Sequence, residues 1–374
     1  MGSGFQYFGT IETAHGVASA LLCVDDDSPA DLMIQWGGVA PIVAGGVLTR
    51  GQWNGDVLEV APRIVYSVNE AGGLFAPLQL TPEQLRWRDA SRGALHKTPR
   101  GLEGNWTDPD GVRRDMSFLK PTEPPERVAA RQCRGWGCFK TWANEITASN
   151  NASMFRGHGS KSFSLKTSLN RAGRYRLERY LAIELQAFKN HAEAVLNRRF
   201  NTNDPYEYAT LAALAQHHGL PTPMLDWTES PYIAAFFALS AALENQRAGG
   251  KSTHIRVCGL TEKFVQSTSP PLVSFAWPLP FVASFAVAPI HNQRMYAQQG
   301  KFLVTNVADV EAFIRDVETR ASEQHLFAVD VPVSCASEAL QDLAFMGLTG
   351  ATMFPGLDGV TRMLRHEMFY KKPP

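Results

Sequence analysis

At 374 residues the chain exceeds the usual size of one domain, so two folded units are expected. Hydrophobic residues at 44% and charged residues at 19% are the composition of a soluble globular protein with a substantial core. The 36 basic and 36 acidic residues cancel, which excludes a global electrostatic pull toward nucleic acid or an anionic membrane surface.

The opening "MGSGFQYFGTIETAHG" lacks the basic start and apolar run of a secretory leader. No uncharged apolar run reaches the ~18 residues of a membrane span, so a cytoplasmic protein without membrane contact is expected. Through residues 1–120 the pattern is mostly strand. "GVASALLCV" (16–24), "DLMIQW" (31–36), "VLEVAPRIVYSV" (57–68) and "RRDMSFLK" (113–120) are short, β-rich and separated by turn signals. Asn54-Gly55 and Asp108-Pro-Asp-Gly111 are turn sequences, because glycine supplies positive φ and Asp-Pro favours turn initiation. "TPEQLRWRDA" reads as a helical turn. The expectation is a small antiparallel sheet or open barrel without catalytic spacing, acting as a sensing or regulatory unit that meets a protein trigger. Residues 121–132, with three prolines and several charges, read as a linker into a second unit at 133–374.

Downstream the chain is mixed, so the fold class expected is α+β, short strands with buried helices after a small β-rich domain. "TWANEITAS" continues a helix into the strand-like "SMFRGHGS". Residues 175–200 carry Leu177, Leu181, Leu185, Phe188 and Val195 at helical spacing. Asp204-Pro205 opens another helix and Gly219 ends it; Ser230-Pro231 opens a nearly all-apolar one that must be buried. The arginines 171, 174, 176 and 179 read as an ordinary solvated helix face. Cys23, Cys133, Cys138, Cys258 and Cys335 are odd in number and scattered, and no second pair completes a zinc site with Cys133 and Cys138. Reduced thiols are expected.

Four motifs then occur in order: "MFRGHGSKSFSLKTSLNR", "LAQHHGLPTPMLDWTESPYIAAFFAL", "NQRMYAQQGKFLVTN" and "MGLTGATMFPGLDGVTRML". Together they resemble the FRG domain, named for its Phe-Arg-Gly motif, here Phe155-Arg156-Gly157, over roughly residues 130–368. Where many members carry arginine this chain has Pro223. The family is named for a motif rather than an activity, so the resemblance implies a fold unit and leaves the chemistry to the residues.

Arg156, between a strand and two glycines, offers a planar fork of donors suited to phosphate or carboxylate. The competing reading is an internal ion pair with Asp226. His217 and His218 end a helix; adjacent helical residues point about 100° apart, so one of the two is expected to face Arg156. Asp226 reads as a cap or as a partner of Arg or His. Gln298 and Gln299 can read amide, ribose or base edges, or tie down a loop. The candidate catalytic set is Arg156, His217, His218, Asp226 and Gln299. Phe155, Gly157, Gln216, Trp227, Thr228, Arg294 and Gln298 complete a ligand-binding set. No metal site is expected, since HExxH and HxH spacings are absent, and no GxSxG, Walker A or GxGxxG motif is present. An early Arg and a late polar cluster before a strand are similar in layout to ADP-ribosyltransferases, with Gln298-Gln299 where those enzymes use a late Glu. The resulting expectation is a nucleotide pocket, with NAD as substrate rather than resident cofactor, in a toxin or antiviral defence effector. The alternative is a non-catalytic ligand- or protein-binding module whose motifs hold the fold.

Overall fold

The computed structural model describes residues 4–37, 44–68, 75–121, 127–149, 151–202, 204–269, 277–285, 296–354, 356–366 and 368. The chain is α+β. Nine antiparallel strands come first: β1 (Phe5–Thr13), β2 (Gly16–Val24), β3 (Asp31–Gly37), β4 (Gly45–Asn54), β5 (Val57–Val68), β6 (Phe75–Pro77), β7 (Arg92–Thr98), β8 (Gly101–Thr107) and β9 (Arg113–Leu119). Their order is β4-β3-β2-β1-β9-β8-β7-β5-β6, and β4 also pairs with β5. That extra pairing closes eight strands into a barrel, where an open one was expected.

Closure depends on β5. One length of this long strand pairs with β4 throughout, while its start pairs with β7 and its end with β6. The Asn54-Gly55 signal is realised there, with Gly55 at φ +62 in the turn between β4 and β5. Inward-facing Leu22, Ile34, Leu58, Leu95, Met116 and Phe118 fill the barrel. Helix α1 (Pro82–Ala90) is started by a Thr81–Gln84 capping box.

The second sheet contains β10 (Ala130–Gln132), β11 (Met154–His158), β12 (Met224–Thr228), β13 (His254–Leu260), β14 (Val282–Phe285), β15 (Gly300–Thr305) and β16 (Leu326–Pro332). Its order is β10-β16-β13-β11-β12-β15-β14. Only β10 and β16 run parallel among the described pairs. Residues 130–132, read as linker, are therefore an edge strand. Residues 122–126 of that predicted linker lie outside the described residues.

Helices cover both faces. On one face α2 (Trp136–Ala148) and the apolar helix Pro231–Arg247 cover Phe155, Val257 and Val329. Beside them, α3 (Leu185–Leu196) and α4 (Pro205–His217) cover Met224, Phe302 and Val304. We label the apolar helix α5. The opposite face, with Leu225, Trp227, Cys258 and Leu303, packs on α6 (Glu262–Thr268) and α7 (Val310–Ala321). The local starts and stops fall where expected: Asp204 caps α4, Gly219 follows it at φ +85, and Ser230 accepts from Ile233 N–H at the start of α5. The single helix read over 175–200 is instead interrupted by a π-helical turn at Tyr180–Glu184 before α3.

Two sequence readings are corrected here. Cys133 and Cys138 form a disulfide, while Cys23, Cys258 and Cys335 are free thiols. The arginines after residue 173 are not a solvated face. Arg179 meets Asp27 at 3.0 Å and Asp25 at 3.2 Å, Arg174 meets Asp27 at 3.0 Å, and Arg176 is buried against Glu178. This grip ties the barrel to the second part of the chain. Alongside it, Gln6 donates to the Asn306 carbonyl at 2.6 Å and accepts from Ala308 N–H at 2.9 Å. Met33, Leu48 and Tyr66 of the barrel join the core beneath α3 and α4.

Candidate functional site

The Phe-Arg-Gly motif lies on β11, near the middle of the second sheet. Side chains alternate along a strand, so Met154, Arg156 and His158 leave one face, and Phe155 and Gly157 the other. Phe155 is 1% exposed and meets Trp142 of α2 edge-on at 6.2 Å between ring centroids. A Cβ on Gly157 would lie 1.9 Å from the Ala234 carbonyl oxygen of α5. Glycine is required there for the helix to approach the sheet. Packing thus replaces the ligand contacts expected of both residues.

Arg156 faces the other way, opposite Cys258 of β13. β11 and β12 pair at one position, Phe155 with Thr228; past it the Arg156 Nη1 donates to the Asp226 carbonyl. The residue is half-buried, yet its Nε is sealed from solvent without a partner. Burial lowers its pKa, Asp226 raises it, and the nearby charge of Arg171 lowers it.

The expected Arg156–Asp226 ion pair is not formed. Asp226 stands opposite Phe302, whose ring belongs to the core under α4, so its carboxylate leaves the face opposite to Arg156. There it is exposed and accepts from Gln216 Nε2 at 3.0 Å. The Thr222 hydroxyl donates to Gln216 Oε1, which turns the amide NH2 toward Asp226. Nor does Asp226 cap a helix, for it is a strand residue and Ser230 performs that task.

His217 is the last residue of α4 and His218 its C-cap; their rings meet edge-on at 5.0 Å. His217 is half-buried and His218 exposed, and their helix packs on the Asp226 face. At the other end of β12, Thr228 Oγ1 donates to the Gln298 carbonyl at 2.8 Å, and Gln298 Nε2 donates to the Met353 carbonyl at 2.8 Å. Gln299 takes the left-handed conformation at φ 46, its carbonyl accepting from Glu229 N–H. Gln298 is therefore the loop tie rather than the reader of a base. Trp227, included in the ligand-binding set, is 3% exposed and lies in the core. Arg294 lies outside the described residues.

The predicted residues thus form three groups: Arg156 on one face; Gln216, Asp226 and the α4 end on the other; and Thr228 with Gln298 and Gln299 beyond. His158 was not among the candidate site residues. It is 8% exposed, two residues after Arg156 on the same face, and its Nδ1 has no partner. Burial, then the charge of Arg156, pushes its pKa down to about 3. A period-two reading of β11 was the signal that could have found it. Among the described residues, no group of three or more His, Cys, Asp or Glu is placed to hold a metal ion, and no helix is long and apolar enough to cross a membrane.

The strand bearing Phe-Arg-Gly packs on the apolar helix α5, which lies after the His-His-Gly turn. Residues 151–247 match the family model of the FRG domain, and the chain carries that domain. No curated protein and no solved structure matches the chain.

Proposed function

We propose that the FRG portion binds a phosphate-bearing nucleotide through Arg156, with NAD the substrate tested first. One observation carries this: Arg156 has no carboxylate within ion-pair distance among the described residues. An arginine whose charge is left over and whose Nε is sealed suits an anionic ligand. On this reading the reaction class is ADP-ribosyl transfer or NAD cleavage in a toxin or defence effector, and the barrel, residues 1–120, regulates it on meeting a protein trigger. Asp226, held by Gln216, and His218 at the end of α4 are exposed polar groups on the sheet face opposite to Arg156.

The second reading, a non-catalytic binding module, is favoured by a specific observation: Phe155, Gly157, Thr228 and Gln298 are all spent on packing or backbone ties. NAD turnover and nucleotide binding by wild type, Arg156→Ala and Arg156→Lys separate the two. The nucleotide reading expects both variants to fail together, since lysine lacks the two-pronged grip, with melting temperatures near wild type. If Arg156→Ala binds every nucleotide as wild type does and melts several degrees lower, the arginine is structural.

A further inference from the structure

One end of the barrel interior is filled and the other is not. Leu32, Leu58, Leu102 and Phe118 are 2% exposed or less. Toward the other end Ile11, Trp36, Val65 and Trp106 are only half-buried, and they line a cavity of about 430 Å³. A barrel of eight strands is just wide enough to be filled by side chains or to hold one small ligand.

Two tryptophans are laid on the wall of that cavity. Trp36 of β3 pairs with Gly45 of β4, and Trp106 of β8 pairs with Gly93 of β7. A Cβ on Gly45 would lie 2.9 Å from Trp36 Cζ2, and one on Gly93 would lie 3.0 Å from Trp106 Cε3. Each indole therefore lies over a glycine of the neighbouring strand, which holds it in place. A third, Trp87, comes from α1 and is 45% exposed. No residue of α1 is buried, although a capping box starts it and Arg88 Nη1 ties it to the Arg63 carbonyl at 2.8 Å. The helix adds nothing to the core. It walls the cavity, through Gln84, Trp87 and Arg88.

The charges around the cavity restrict what can enter. Arg114 Nε meets Asp108 at 3.3 Å, and Arg88 meets Asp89 at 2.6 Å. The remaining carboxylate, Glu12, is exposed to screening by solvent and accepts from Asp115 N–H at 3.2 Å. An ionic ligand would have to break a pair to gain one, so a neutral molecule is favoured. The Asp108–Arg114 contact uses one atom of each partner. Asp108 Oδ1 and both Nη groups of Arg114 have no hydrogen bond among the described residues. An acceptor beside donors is the complement of an amide edge.

We infer that the barrel binds a neutral, planar heteroaromatic small molecule. Its ring lies against Trp36, Trp87 and Trp106, and a lactam-type edge meets Asp108 and Arg114. Rigid indoles favour a flat ring over a flexible chain. The volume falls in the range of about 300–1,000 Å³ usual for small-molecule sites. This site is in the barrel and does not rest on the nucleotide reading of Arg156.

The full chain is titrated calorimetrically with 2-quinolinone, its N-methyl derivative, quinoline-2-carboxylate and N-methylquinolinium, which share one ring system. The neutral lactam 2-quinolinone is expected to bind at least tenfold tighter than the anion or the cation. N-methylation removes the N–H that Asp108 accepts and should weaken binding at least fivefold. Trp87→Ala, on a helix that buries none of its residues, should weaken 2-quinolinone at least fivefold at unchanged melting temperature. Trp87→Phe, which keeps a ring, should restore most of that loss. No binding of any of the four, a charged ring binding as tightly as 2-quinolinone, or Trp87→Ala binding as wild type does overturns the proposal. Equal affinity for the N-methyl derivative overturns the contact with Asp108 and Arg114, and with it the lactam edge.

Discussion

Replacing Asp25 should show how strongly the barrel is held to the second part of the chain. The residue is fully buried and its two oxygens are divided between two tasks. Oδ1 accepts from Tyr175 N–H at 2.7 Å and Arg176 N–H at 2.9 Å. Oδ2 faces Arg179 at 3.2 Å and Arg174 at 3.7 Å. Asp25→Ala orphans two backbone amides, at about 1–3 kcal/mol each, and removes one partner of a buried ion cluster, worth about 3–5 kcal/mol. These overlap, and both arginines keep Asp27 and Glu184. We expect a net loss of about 3–4 kcal/mol. Asp25→Asn can leave its carbonyl at Oδ1 and lose only the arginine contacts, so about 1–2 kcal/mol is expected. Urea unfolding followed by tryptophan emission and circular dichroism measures both. Equal losses for the two variants, or a loss under about 1 kcal/mol for alanine, would refute the division of labour between the oxygens.

Gly157→Ala places a methyl against the Ala234 carbonyl and should cost about 3 kcal/mol or more, read as a fall in melting temperature; an unchanged melt would show that α5 shifts freely. Asp226→Asn should change stability by less than about 1 kcal/mol, because the carboxylate is exposed and its Gln216 bond can be remade by an amide. His158 stays neutral in the folded protein down to about pH 3, whereas the unfolded imidazole protonates near 6.5. Below 6.5 the unfolded chain binds more protons, so stability falls as pH drops, by up to about 1.4 kcal/mol per pH unit until about pH 3. Denaturant midpoints of His158→Asn should depend less on pH between 6.5 and 4.5 than those of wild type, and parallel curves would remove His158 as a cause.

Much of the local structure was legible in the residues. Asp204, Gly219 and Ser230 mark helix ends because a cap is satisfied within three residues of itself, and Asn54-Gly55 marks a turn for the same reason. The residues place Arg156 after a strand, with glycines that let a ligand approach; it lies within β11, and Gly157 is instead packed on α5. What the residues did not disclose depends on partners far away in the chain. Barrel closure is a pairing of β4 with a strand that also serves β7 and β6, and periodicity does not name a strand's neighbours. Arg174 and Arg179 looked solvated because carboxylates that meet them come from Asp25 and Asp27, some 150 positions earlier. The candidate site was misread for a related reason. Arg156 and Asp226 were grouped by chemical complementarity, but the register of β11 against β13 and of β12 against β15 sends their side chains to opposite faces. His158 shares the face of Arg156 because alternate residues of β11 point the same way. Composition and motif determined which chemical groups the chain possesses; the pairing of distant strands decided which of them meet, since a one-residue shift in register turns every side chain to the other face.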